Sequence, residues 1–134
     1  MNRSMSDTSC KLLGDFFATL GNTTRMRIFC ALQRKPRTVT EIAGKAGVSI
    51  ANASQHLRLM RDRGTVIAEK YAQNVYYRIA DPQFVEASIV IEKALLKRLR
   101  HDAGQAPARR TRQKQHRVLQ AALSKARPGI NIVS

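Results

Sequence analysis

A helical pattern that breaks at a tight glycine turn and resumes at once is the strongest constraint on how this chain can fold. Residues 47–64 read Gly-Val-Ser-Ile-Ala-Asn-Ala-Ser-Gln-His-Leu-Arg-Leu-Met-Arg-Asp-Arg-Gly. Gly47 and Val48 make the turn after a helical pattern over residues 40–46, and the Ser49 hydroxyl is placed to cap the helix that follows. Ala53, Leu57 and Met60 then recur at spacings of four and three, which sets them on one buried face. Ile50, Asn52, Ser54, Gln55, His56 and Arg58 fall mostly on the other faces or near the N-terminal end. Two short helices joined this way, the second carrying amides, hydroxyls and arginines outward, are how a helix-turn-helix presents itself to DNA. An ordinary amphipathic helix with a solvated polar face has the same local pattern, so the surroundings decide.

Charge is the first of those surroundings. The chain has 24 Lys and Arg against nine Asp and Glu, a formal net charge of +15. That imbalance exceeds what solubility needs and implies a polyanionic partner. All nine acids lie between Asp7 and Asp102, whereas residues 103–134 carry seven basic residues and no acid. No apolar run approaches the ~20 residues of a spanning helix, so nucleic acid fits better than membrane. Residues 1–9 are polar, and Lys11 and Asp15 interrupt the first apolar pattern; this does not read as a targeting peptide, and the expectation is a cytoplasmic protein. A chain of 134 residues can bury one modest core, of a size often completed by dimerisation. Two cysteines are too few for the disulfide framework of a secreted module.

The pattern divides the chain into an N-terminal extension (1–8), a folded domain (9–102) and a basic C-terminal tail (103–134). Residues 8–20 read as a helix with Leu13, Phe16, Phe17 and Leu20 on a wide apolar face, ended by Gly21. Asn22 or Thr23 caps a second helix, with Met26, Phe29, Cys30 and Leu32 inward and Pro36 as its stop. Thr40 caps a short third helix containing Ile42, Ala43 and Ala46; the fourth spans 49–63, with Gly64 just past its end. Thr65–Lys70 and Val75–Ile79 are β-favouring runs around Tyr71-Ala72-Gln73-Asn74, a hairpin in which Asn74 can take a positive φ at the tip.

Asp81-Pro82 opens a long helix running to about Arg100. On it Phe84, Ser88, Ile91, Leu95 and Leu99 form one stripe, and Val85, Ile89 and Leu96 a second beside it. A band this wide exceeds what one small body needs and points to a second subunit, although wholly internal packing would use the same stripes. Residues 103–109 read as a linker, Arg109–Arg117 as a basic block, and Val118, Leu119, Ala122 and Leu123 recur at helical spacing. The block either adds phosphate contacts or is a solvated tail. The fold class is therefore mainly α with a small β-hairpin.

This order of elements is that of a winged helix-turn-helix framed by terminal helices. The segments Leu20-Gly21-Asn22-Thr23-Thr24-Arg25-Met26-Arg27-Ile28, Thr40-Glu41-Ile42-Ala43 and Val48-Ser49 carry a family likeness. So do Ser54-Gln55-His56-Leu57-Arg58-Leu59-Met60-Arg61, Gly64 and Val75-Tyr76-Tyr77-Arg78-Ile79. Over about residues 10–100 the chain resembles the ArsR/SmtB family of transcriptional repressors. Thr65 stands where that family usually has leucine. The resemblance implies a homodimer that uses its first and last helices as interface, with Leu13, Phe17, Ile91, Leu95 and Leu99 as the candidate contacts. It also implies two recognition helices in successive major grooves of double-stranded DNA and repression at an inverted repeat, relieved by an inducer.

Side-chain chemistry agrees. Gln55 and Asn52 can make bidentate contacts to adenine, and Arg58 can reach phosphate or guanine. Ser49, Ser54 and His56 suit phosphate contacts that fix register, although His56 reads equally as a neutral helix residue bonded in the core. Lys70, Gln73, Asn74 and Arg78 on the hairpin can touch the backbone or an adjacent minor groove. Tyr76 and Tyr77 read as wing packing, since a duplex offers no free base face.

What the chain senses is less legible. The third-helix thiolate site found in metal-sensing relatives needs a Cys-x-Cys where this chain has Thr40-Glu41-Ile42-Ala43-Gly44-Lys45. Between Phe84 and Arg100 the long helix offers only Glu86 and Glu92, followed by His101-Asp102, too few for a four-ligand zinc cage. No metal at the usual family sites and no cofactor are expected. Cys30 falls on the second helix, where thiol-sensing relatives carry one cysteine, but their partner on the final helix is missing, which leaves Cys10 as the candidate partner. Arg27 and Lys11 would favour the thiolates; the plainer alternative is a buried small hydrophobe at Cys30 and an incidental exposed thiol at Cys10.

An enzyme is not expected: the sequence has no Gly-rich phosphate loop, no nucleophile motif, and three scattered histidines, His56, His101 and His116. The rival reading is a non-specific architectural nucleic-acid-binding protein, for which the charge alone would suffice. The outward Asn52, Gln55 and Arg58 discriminate, because amides serve base reading.

Overall fold

The computed structural model describes residues 4–105 and 117–124. The element order is α1 (Asp7–Leu20), α2 (Thr23–Ala31), α3 (Val39–Ala46), α4 (Ile50–Asp62), β1 (Val66–Tyr71), β2 (Asn74–Ile79) and α5 (Pro82–Gln105). A further helical segment covers residues 117–124. The chain divides after Val85 into two compact units.

In the first unit, Ile28, Phe29, Leu32, Ile42, Ala46, Leu57, Met60, Val66 and Ile79 make one cluster contributed by α2, α3, α4 and the hairpin. The expectation for α2 needs correcting here. Ile28 is fully buried beside Phe29, and Cys30 is exposed. The helix also ends at Ala31, well before Pro36, because Leu32 turns inward as its C-cap. Thr65 is buried, its N–H donating to the Met60 carbonyl and its carbonyl accepting from the Ala80 N–H.

The starts of α1 to α5 each have a capping side chain. The Ser6 hydroxyl accepts the Ser9 N–H, and Asn22 Oδ1 accepts the Arg25 N–H at 3.0 Å. For α3 the cap is Thr38 and not Thr40: Thr38 Oγ1 accepts the Glu41 N–H at 3.3 Å and donates to Glu41 Oε1 at 3.2 Å. Thr38-Val39-Thr40-Glu41 is thus a capping box, and Thr40 lies one position inside the helix.

The helix ends are closed differently. Neither α1 nor α2 has a basic residue in its last turn. The Arg25 guanidinium instead donates back to the Thr19 and Ala18 carbonyls of α1, and Arg37 Nε donates to the Ala31 carbonyl of α2 at 2.8 Å. Orphan carbonyls at a helix C-terminus carry partial negative charge, so a guanidinium satisfies both the hydrogen bond and the dipole.

β1 and β2 pair antiparallel with Val66 opposite Ile79 and Tyr71 opposite Asn74. Only Ala72 and Gln73 remain in the turn, and the positive φ falls on Ala72 (53°), not on Asn74, which is already paired in β2. An isolated bridge between Arg37 and Tyr77 lays the α2–α3 connection along the outer side of β2.

The first turn of α5 packs on the first unit: the Phe16 and Phe84 rings lie 4.9 Å apart, and Asp81 Oδ1 accepts the Gln83 N–H at 2.8 Å. The helix continues to Gln105, so the first residues of the expected 103–109 linker are helical. In the second unit Ile89 and Leu119 are buried and Leu96 half-buried, while Ile91, Leu95 and Leu99 are exposed. The two stripes of α5 therefore differ in kind. Of the tail, the basic block up to His116 lies outside the described residues.

Candidate nucleic-acid interface

Gly47 ends α3 in the left-handed conformation (φ 70°), which a side chain would resist, and the Gly47 and Val48 N–H groups both turn back to the Ala43 carbonyl. Ser49 begins α4 immediately, its hydroxyl accepting the Asn52 N–H at 3.1 Å. Val48 packs against the core and pins the entry of the helix. Three residues thus hold α3 and α4 at a fixed angle.

Ala53, Leu57 and Met60 are completely buried, and they fix the rotation of α4. At ~100° per residue, Ala51, Gln55 and Arg58 point nearly opposite them, with Asn52 and Ser54 on either shoulder; all five are exposed. His56 sits nearer the core and is half-buried. Ser49 already accepts one hydrogen bond as a cap, but its own O–H is still available to donate to a phosphate oxygen. Arg61 and Arg63, at the far end of the helix, are exposed and extend the basic face; their place in the last turn of the helical pattern could have flagged them.

The hairpin divides its expected residues. Lys70, Gln73 and Asn74 are exposed at or beside the tip. Arg78 is half-buried, and its guanidinium donates twice to Glu69 Oε1, at 3.0 and 2.9 Å, and once to the Ile79 carbonyl. It is held across the wing as a partner of Glu69. The signal was present in the register, since Glu69 opposes Tyr76 and Arg78 is the diagonal neighbour two positions on. Tyr77 packs against the core, as expected of a wing tyrosine.

Glu41 has a shifted carboxyl. Loss of water around it pushes its pKa up, but hydrogen bonds from the Thr38 backbone and hydroxyl, then Arg37, then the charge of Lys35 outweigh this and hold it below the usual glutamate range. Glu41 thus belongs to the frame that supports the interface. Cys10 and Cys30 are both exposed. Among the described residues no three His, Cys, Asp or Glu side chains converge as a metal site, and His101 and Asp102 form an exposed pair 4.0 Å apart. No helix among the described residues is long and apolar enough to cross a membrane.

An exposed amide-bearing helix, set by a tight turn on a buried partner and flanked by a β-hairpin, defines the winged helix-turn-helix class. Residues 20–68 match the family model of a helix-turn-helix domain. An uncharacterized HTH-type transcriptional regulator of Mycobacterium tuberculosis, Rv0081, is 34% identical over 91 residues, spanning 67% of this chain and 80% of that protein. Its crystal structure superposes with a TM-score of 0.65 at 33% identity, covering 72% of this chain and 97% of that one. The transcriptional repressor SmtB homolog of Synechocystis is 32% identical over 77 residues, 58% of each chain. A homodimeric winged helix-turn-helix domain of Mycobacterium bovis, Mb0332, described as a possible ArsR-family regulator, matches with TM-score 0.63 at 25% identity, covering 81% of this chain and all of that one. The chain belongs to the ArsR/SmtB family of winged helix-turn-helix transcriptional regulators.

Proposed function

We propose that this regulator is a sequence-specific repressor that binds an inverted-repeat operator as a homodimer and is released by an inducing signal. The observation that carries this reading is the outward face of α4, where Gln55, Asn52 and Arg58 stand opposite the fully buried Ala53, Leu57 and Met60. Bidentate amides and a guanidinium can read base edges in the major groove, while Ser49, Ser54 and His56 set register on the phosphates. Lys70, Gln73 and Asn74 reach the flanking backbone, and the net charge of +15 supplies the sequence-independent attraction.

Dimer formation is supported by exposed apolar side chains on the terminal helices, Leu13 and Phe17 on α1 and Ile91, Leu95 and Leu99 on α5. The homodimeric Mb0332 domain is consistent with it. Repression follows the direction stated for the SmtB homolog. Cys10 and Cys30 are the candidate receivers of a thiol-based release signal, being exposed to oxidants.

The test is a titration against the duplex upstream of the regulator's own gene and a scrambled duplex, at two salt concentrations. A preference of about a thousandfold or more that persists at the higher salt establishes operator binding. Equal affinities that both collapse with salt would replace this reading with that of an architectural protein.

A further inference from the structure

The large apolar side chains left exposed on the helix-turn-helix and wing are Ile50, Tyr71 and Val75, and only Ile50 lies on the recognition helix. Half of Ile50 is open to solvent (50%), and it is absent from the side chains packed against the core cluster. Val48, two residues earlier, already closes the entry of α4 against that core. Ile50 is therefore outside that core packing, and a β-branched residue there adds nothing to helix propensity. Ala51, its neighbour, is exposed on the face directly opposite the buried stripe.

Ile50 and Ala51 form the first turn of α4, the end of a recognition helix that reaches base edges. One turn further on stand Ser54 and Gln55, at four residues from Ile50 and Ala51 respectively. Ala51 thus lies one turn before Gln55 on the same outward face, while Ile50 lies one turn before Ser54 on the shoulder toward the buried stripe. In the major groove an A·T pair shows adenine N6 and N7 for such an amide, and on the other strand the 5-methyl group of thymine. The methyl is the one apolar feature that the four bases present there.

We infer that Ile50 and Ala51 are specificity-determining residues that read thymine 5-methyl groups in the operator half-site, Ala51 next to the base pair read by Gln55. The inference rests on the operator-binding reading above and names the base chemistry that the same helix selects. Contact with a methyl excludes water from both surfaces and favours thymine over cytosine at that position without a hydrogen bond.

The test replaces each thymine of the operator, symmetrically in both half-sites, with deoxyuridine, which removes only the methyl. Wild-type protein is expected to lose about fourfold in affinity per methyl at one or two positions, the equivalent of ~0.8 kcal/mol for one buried methyl-sized group. Ile50→Ser is expected to bind the thymine and deoxyuridine operators equally at its position, and Ile50→Val to keep the discrimination. Ala51→Ser reports the second position, and thermal unfolding checks that each variant is folded. A wild-type protein indifferent to every such replacement, while still preferring the operator over scrambled DNA, overturns the inference alone. Undiminished discrimination in Ile50→Ser overturns it for that residue. Loss of preference for any native duplex overturns the operator reading together with it.

Discussion

Arg37 and Tyr77 exchange both of their backbone hydrogen bonds, the Arg37 N–H donating to the Tyr77 carbonyl at 3.0 Å and the Tyr77 N–H to the Arg37 carbonyl at 2.8 Å. The guanidinium of the same arginine closes α2 at Ala31 and reaches Glu41 on α3 at 3.4 Å. One residue joins the wing, the scaffold helix and the helix that supports α4.

Arg37→Ala is expected to destabilise the fold by about 1–3 kcal/mol, since charge-assisted bonds to a part-buried carbonyl are lost. Urea denaturation should show a lower midpoint with an unchanged slope. Arg37→Lys should recover only part of the loss, because an ammonium lacks the planar fork that spans Ala31 and Glu41. A midpoint for Arg37→Ala equal to wild type would remove its role as a joint.

Glu41 gives the acid side of the stability profile. Its carboxyl is held low in the folded state, so the unfolded chain binds the proton more readily. The contribution is present above the ordinary glutamate range and disappears as pH falls through the folded value. Glu41→Gln should therefore lower the unfolding temperature at neutral pH, and the difference from wild type should shrink as the solution is acidified. A difference constant with pH would show that the carboxylate charge is irrelevant.

Two substitutions at Ser49 separate capping from DNA contact. Ser49→Ala removes the cap of α4 and is expected to cost about 1 kcal/mol of stability. Ser49→Asp keeps the cap, so the fold should retain its stability, but a carboxylate facing phosphates should weaken operator binding at least tenfold. Tight binding by the aspartate variant would place Ser49 away from the backbone.

Ala72 occupies the left-handed region at the tip of the wing (φ 53°). Glycine there is expected to stabilise the protein by about 0.5–1 kcal/mol, the relief of a strained φ offset by the extra freedom of the unfolded chain. Ala72→Val should lower the unfolding midpoint. A glycine variant less stable than wild type would mean that the tip is held by something other than its backbone.

The helix-turn-helix was readable because Gly47, Ser49, Ala53, Leu57 and Met60 encode turn, cap and buried face within one short window. What the sequence concealed depended on partners distant along the chain or on competing local signals. Thr38 and Thr40 are both plausible caps, and only the reciprocal Glu41 bond selects Thr38. Cys30 and Ile28 sit two residues apart on α2, and its rotation is set by Phe29 and the helices that pack on it. Asn74 has the chemistry for a positive φ, yet strand pairing extends to it and moves the strain to Ala72. On α4, Gln55 and Arg58 are exposed on the face expected of them, whereas Arg78 is paired with Glu69 through a cross-strand diagonal.

The arginines that close α1 and α2 have a consequence for how the molecule can come apart. Arg25 arrives at the end of α1 only when α2 is in place, and Arg37 arrives at the end of α2 only when its own strand-like segment lies against the wing. Each helix is left open by its own sequence and sealed by the segment after it, in an unbroken relay from the hairpin back to the first helix. Peeling the wing from Arg37 bares the end of α2, and a loosened α2 withdraws the seal from α1, so opening at the hairpin is coupled to opening at the first two helices.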